Sequence, residues 1–393
     1  AVGAYALNLN TEGGWSTAVG YDALKKNTTA NSNTAVGYNA LKENVTGTGN
    51  VAMGNQALQE NTANNNTAFG ANAMRLTTSG GSNTAVGTQA MDDNTTGANN
   101  AACGYQALHA NTTGAANVAV GSGALVTNTT GGTNTAIGGA TLSANTTASD
   151  NTAVGYSALE DNTTGTGNTA VGHDALEKNT TASYNTAVGL QSLHANTTGA
   201  SNVAVGTNAL EINTTGGFCV AVGMGACEQN TEGNHNVGIG FEALEENTSA
   251  DNNVAVGLYA LRKNTTGTPN IAIGAYASDA LTTGGGNTCV GYWAGSVMTT
   301  PNHNTFIGYY AGYPTTTGYR NTVCGAMAGY QLTTGINNAF LGYEAGSTGS
   351  PSGGITSGDN VICLGNNSTD DLYCADTGIS SSDKRDKTDI VNF

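Results

Sequence analysis

Apolar and polar positions follow one another along this chain in a fixed cycle. The cycle is clearest at Asn168-Thr169-Ala170-Val171-Gly172, which is followed by an Ala-Leu pair and an Asn-Thr-Thr turn. It recurs as roughly N-T-A-V-G-Y-x-A-L-x-x-N-T-T-G-x-x from the first residue to about Gly346, with a period of 17 residues and one shorter copy from Val51 to Asn66. Such a period overrides any count of domains by length. With Thr169 as position one, position three is always apolar (Val171, Ile137, Phe69, Ile307), and position four is Gly from Gly20 to Gly342. Position seven is Ala almost throughout, and position eight is Leu or Met through most of the array.

Positions one to three read as a short strand and positions five to eight as a second, with a Gly bend between them. An invariant Gly implies a backbone need, either a positive φ or the close approach of another chain. The Asn, Thr and Gly that follow supply turns, and no sustained 3.6-residue spacing supports a helix. Two short strands per 17 residues predict an all-β fold, a β-solenoid (β-roll or β-helix). About 21 coils stacked at the usual strand spacing make a rod on the order of 100 Å long. The repeat shaft covers residues 1–347, of which copies 288–347 are an aromatic-rich variant. Residues 348–381 read as a cap or connector, in which Asn360 to Gly365 looks like a last degenerate coil, and 382–393 as a distinct tail.

Two axial ladders are expected. Asn recurs at position 17 (Asn33, Asn168, Asn253, Asn338), and stacked Asn side chains hydrogen-bond from coil to coil. Thr at positions 12 and 13 forms a second column. Charges gather at positions nine and ten (Lys25-Lys26, Glu160-Asp161, Glu245-Glu246, Arg262-Lys263) and read as a solvated edge, with a cation between stacked acids as the alternative.

Adjacent strand positions face opposite ways, yet positions two and three are both apolar. One face is the chain's own core, and the other is expected to meet another chain. In the last four copies position eight turns to Gly (Gly295, Gly312, Gly329, Gly346) while position two becomes Cys289, Phe306, Val323 and Phe340. Bulk lost at one position returns at the other, so the two share one space at fixed volume. The reading places that space between protomers, with Ala170, Leu176, Phe306 and Phe340 at the interface of a closed, homotrimeric ring. The sequence by itself does not choose three chains over two.

Composition narrows the partners. The formal net charge is −16, and only 10% of residues are charged, which leaves nothing to neutralise phosphates and argues against nucleic acid. No stretch approaches the roughly 18 apolar residues of a membrane span. Ala1 falls in mid-repeat, so the natural N-terminus is expected upstream. No phosphate loop, metal motif or acid pair stands out, the five His fall on variable positions, and neither metabolic catalysis nor a cofactor is expected. Cys103 and Cys324 take the Val slot and Cys227 the Leu slot, as buried small hydrophobes. Cys219 replaces a regular Asn, with a weak prospect of a link to Cys227, and Cys363 and Cys374 are the best disulfide pair.

Aromatic residues concentrate towards the end of the array, from Tyr292 to Tyr343. They serve either inter-coil packing or contact with sugars, and Trp293 and Tyr310, at position six, are expected to be the exposed glycan contacts. The N-T-T units at Asn162, Asn179, Asn196 and Asn213 satisfy the glycosylation pattern, although the turn already explains them.

The N-T-A-V-G-Y-x-A-L units resemble the head repeats of trimeric autotransporter adhesins, whose repeats are typically shorter. They resemble more closely the N-T-A-V-G-Y and N-T-F-I-G-Y-Y-A-G arrays of phage tail-fibre-like proteins. In the tail, Ser382 to Ile390 is similar to the S-D-x-R-x-K-x-D-I opening of the endosialidase-type intramolecular chaperone, although most of that domain is absent. This second resemblance implies self-cleavage at Ser382–Asp383, with Ser382 as nucleophile and Lys387 as base. Together the resemblances imply a trimeric virion tail fibre that attaches to host-surface glycans. The rival reading is a bacterial surface adhesin or extracellular filament, glycan-coated in one version.

Overall fold

The structure is a computed structural model that describes residues 1–350 and 352–369. Among these residues every regular element is a three-residue strand, from β1 (Thr17–Val19) through β10 (Thr169–Val171) to β20 (Ala339–Leu341) and β21 (Ile362–Leu364). Each strand pairs in parallel with the next in the chain, one coil further along the axis. The register follows the repeat: Thr169 pairs with Thr186, Ala170 with Ala187, and Val171 with Val188. The shorter copy still pairs in step, Val51 with Thr67. Past Gly346 a longer excursion returns the chain to pair Ala339 with Ile362, so the degenerate coil is a true rung. The fold is an all-β parallel solenoid. No described helix is long and apolar enough to cross a membrane.

Positions five to eight form no second strand, which corrects the expectation of two per coil. Their backbone visits the left-handed region twice, at Asp174 (φ 55°) and Leu176 (φ 53°) in one coil. A strand cannot include that conformation, so the segment curls. Its hydrogen bonds still run along the axis. The Asp174 N–H donates back to Tyr156, and the Leu176 N–H donates forward to Ser192. A left-handed Leu costs about 1–2 kcal/mol. Complete burial of the side chain returns about 1.5–3 kcal/mol, so position eight tolerates the conformation.

Position four meets both demands anticipated for its Gly. Gly172 has φ +144°, and a Cβ there would collide with the Gly189 carbonyl of the next coil. The close neighbour is therefore the same chain, not another one.

The interior is a thin column. Ala at positions two and seven and Leu or Met at position eight are buried along the rod. Beside them run two ladders of buried Asn. At position 17, Asn168 Oδ1 accepts the Asn185 N–H at 2.9 Å, and its Nδ2 donates to the Ala182 carbonyl at 2.9 Å. This bears out the expected Asn ladder, linked through backbone instead of amide to amide. Amide-to-amide stacking occurs at position 11, where Asn179 Nδ2 donates to Asn162 Oδ1 at 2.8 Å. That run is continuous from Asn94 to Asn264, where Leu281 takes the next place. The Thr column forms at position 12: the Thr163 hydroxyl donates to the Thr180 carbonyl at 2.9 Å.

Candidate functional site

Alternation in the strand sends position two inwards and positions one and three outwards. Ala170, Leu176, Phe306 and Phe340 are fully buried within a single chain, which corrects their assignment to an interface between protomers. The shared volume is real: a Cβ on Gly346 would lie 2.8 Å from the Phe340 ring. That volume lies inside the coil. The apolar face left outside belongs to position three, where Val171 (37% exposed), Ile307 (40%) and Leu341 (44%) recur on rung after rung. Val118 and Ile271 widen the stripe at position one. A dry outer strand face was anticipated in the sequence, but the residues on it were assigned the wrong way round.

Cys103 and Cys324 sit on this stripe and are exposed, so they are not the buried hydrophobes expected. Cys219, Cys227, Cys289 and Cys363 are buried and free, which leaves no Cys219–Cys227 link. Cys219 keeps part of the role of the Asn it replaces, with Sγ 3.3 Å from the Gly233 carbonyl. Burial pushes its thiol up to about 11.

Trp293 and Tyr310 are half-buried, which corrects their expected exposure. Trp293 stacks on Tyr276 at 4.7 Å and lies parallel to Tyr310 at 6.2 Å, so both of its faces are covered by neighbouring coils. No face remains for a sugar ring, and the pair serves inter-coil packing. The most exposed rings of this aromatic section are at position five: Tyr309 and Tyr343 are each more than half exposed, and Tyr309 stacks on Tyr292.

Asn162, Asn179, Asn196 and Asn213 are fully buried members of the position-11 ladder. Each Nδ2 donates twice, as in Asn196 to Asn179 Oδ1 (3.0 Å) and to Gly199 O (2.9 Å). A glycan on that nitrogen is incompatible with the folded coil, which overturns these four as modification sites.

The charged edge is partly paired from coil to coil, with Arg75 to Asp92 at 2.9 Å and Arg262 to Asp279 at 3.0 Å. Two of the five His, His173 and His194, have a carboxylate beside them. His173 Nδ1 lies 2.9 Å from Asp174, and Asp174, Glu177 and His194 place one donor atom each within 4.8 Å of the others. Lys178 also reaches Glu177, so an ammonium already serves part of this cluster. Further along, burial first and then Glu242 push Glu245 up to about 7.

Near the end of the array a cavity of about 220 Å³ is lined by Met327, Tyr330, Gln331, Glu344, Ser347, Thr348 and Gly349. Nothing in the sequence marks it, because it arises where one side-chain column ends. Ser382, Asp383, Lys387 and Cys374 lie outside the described residues. No family model matches the chain, and no curated protein matches it.

Proposed function

We propose that this chain is the shaft of a homotrimeric fibre of phage tail-fibre type, attached to glycans on a host or environmental surface. The observation that carries the reading is the unbroken outer stripe at position three, from Val19 to Leu364, on an in-register ladder of parallel strands. A stripe of this length offers on the order of 1,000 Å² per protomer, against about 800 Å² per partner in a standard interface. Exposed apolar patches of that size mark association surfaces. An axial stripe on a rod is met over its whole length by a copy lying alongside it, and a closed ring of parallel copies satisfies every stripe.

A load-bearing role suits the construction. Backbone bonds, Asn ladders and Thr hydroxyls all run along the axis, so the rod resists extension by many small contributions in parallel. The rival reading, a surface adhesin or extracellular filament, shares this architecture. Its glycan-coated version loses support because the N-T-T asparagines are buried.

Sedimentation equilibrium tests the assembly. The expected mass is three times the 39.2 kDa of one chain. Val120→Glu, Val171→Glu and Val222→Glu together should release single, folded chains, since the three sites are spaced along the stripe and exposed in each protomer. A wild-type protein that sediments as a single chain would refute the reading.

A further inference from the structure

The aromatic column near the end of the rod stops abruptly, and the stop forms a site. At position nine the chain carries Tyr313 and then Tyr330, stacked at 5.9 Å and 17°; the next coil places Ser347 there. At position six Tyr310 gives way to Met327 and then Glu344. Tyr310 meets Tyr330 edge-on at 6.0 Å. One face of Tyr330 is therefore covered by Tyr313, while the face towards the next coil looks over a small Ser. The 220 Å³ cavity is that step.

Its walls are chemically sorted. Tyr330 and Met327 supply an apolar surface, and Gln331, Glu344, Ser347 and Thr348 supply polar groups. Ser347 is buried, and its hydroxyl donates to the Glu344 carbonyl at 2.6 Å, which fixes the floor of the step. The Gln331 amide lies against the backbone at Gly354, which limits its freedom.

We propose that this step binds one neutral pyranose ring of a surface glycan. An aromatic face suits the C–H face of a sugar, and a carboxylate beside it accepts from neighbouring hydroxyls as a charge-assisted partner. The volume lies below the roughly 300–1,000 Å³ of drug-sized sites, so it has room for one ring. Acidic sugars are disfavoured by Glu344 and by the net charge of −16. The proposal rests on the reading of the rod as an attachment fibre and moves the sugar contact from Trp293 to Tyr330.

The test is saturation-transfer NMR on the full chain with the methyl glycosides of glucose, galactose, mannose and N-acetylglucosamine. At least one should show transfer to its ring C–H protons, with a dissociation constant of about 1–10 mM, as befits a single ring. Ser347→Tyr should abolish the transfer, because a third ring extends the stack and fills the step. Since Tyr already occupies position nine in the two preceding coils, this variant should keep the wild-type melting temperature. Glu344→Gln, which keeps the shape and removes the charge, should weaken binding about tenfold. Absence of transfer from all four glycosides, or transfer unchanged in Ser347→Tyr, overturns the site. Sedimentation of the same sample separates the two readings: trimers without transfer sink only the sugar site, and single chains with transfer sink only the assembly.

Discussion

The ring of Phe306 occupies the space a side chain on Gly312 would need: a Cβ built on Gly312 would lie 2.7 Å from the ring. Most coils fill that space the other way, with Ala at position two and Leu at position eight, as in Ala170 and Leu176. The exchange also relieves the backbone, because position eight is left-handed in both versions (Leu176 φ 53°, Gly312 φ 57°) and Gly adopts that region without cost.

A double-mutant cycle measures this coupling. Phe306→Ala should cost about 3–5 kcal/mol through the cavity it leaves. Gly312→Leu should cost about 1–3 kcal/mol or more by overpacking. The double variant restores the Ala and Leu pair, and its loss should fall well below the sum of the two. Some cost should persist, because a Cβ on Gly295 would also approach Phe306, so the ring is shared between coils. Denaturant unfolding checks the sum, and strict additivity would remove the shared-volume account.

The position-11 ladder makes a second prediction. Asn179→Ala would strand Asn162 Oδ1 and take one of two acceptors from Asn196 Nδ2, which keeps the Gly199 carbonyl. The expected loss is about 1–3 kcal/mol, the cost of one orphaned buried group. Hydrogen exchange should show the loss centred on the flanking coils, as the contacts are between neighbours. Intact mass after secretion from a glycosylating host should show no sugar on Asn162, Asn179, Asn196 or Asn213 in folded protein.

Cys219 offers the converse experiment. It stands where the ladder at position 17 needs an amide, and its Sγ reaches the Gly233 carbonyl but offers no strong acceptor to the next coil. Asn253 shows the regular arrangement: its N–H donates to Asn236 Oδ1 at 3.0 Å. Cys219→Asn should therefore stabilise the chain by about 1 kcal/mol. A fall in the denaturation midpoint would contradict the ladder's contribution.

The repeat made the solenoid, its register and the position-17 ladder legible, because each depends on a residue type recurring at one place. It hid the position-11 ladder, since N-T-T reads equally well as an exposed turn, and only burial separates Asn162 from a surface asparagine. The inward and outward assignment failed for a related reason. Ala170 and Val171 are both apolar, and hydropathy alone would place the bulkier Val inside. Leu176 and its equivalents at position eight fill the coil so that a small Ala is left beneath the strand, and only where position eight is Gly does a ring such as Phe306 take that place. The cavity beside Tyr330 depends on what the next coil lacks, which a pattern of recurring residues cannot display.

Acid should strengthen the coils around Glu245. Its folded value, about 7, lies above the ordinary 4.5, so the folded state holds the proton more tightly than the unfolded chain does. This contribution is fully present below about pH 4.5 and is lost as the pH rises through about 7. Solvent screening keeps it under about 1 kcal/mol. Glu245→Gln should keep the favourable neutral form and flatten the local change in stability between pH 5 and 8. Hydrogen exchange at Leu244 and Leu261 in both proteins reads the difference, and identical pH profiles would exclude Glu245 as its source.

Two thiols report on the outer stripe without disturbing it. Cys103 and Cys324 occupy position three and are exposed in a single chain, whereas Cys219, Cys227 and Cys289 are buried within it. Burial pushes the Cys289 thiol up to about 12, so this group is slow to react for two reasons. In single chains, a thiol reagent should modify Cys103 and Cys324 in minutes and leave the other three untouched until unfolding. In the proposed trimer the same two thiols face partner chains, and their rates should fall at least tenfold. Diluting the protein through its dissociation range should restore both rates together, since the stripe is one continuous surface on a stiff rod. Protection of Cys103 alone would confine the contact to part of the rod, and rapid labelling of both thiols in the trimer would move the interface to another face.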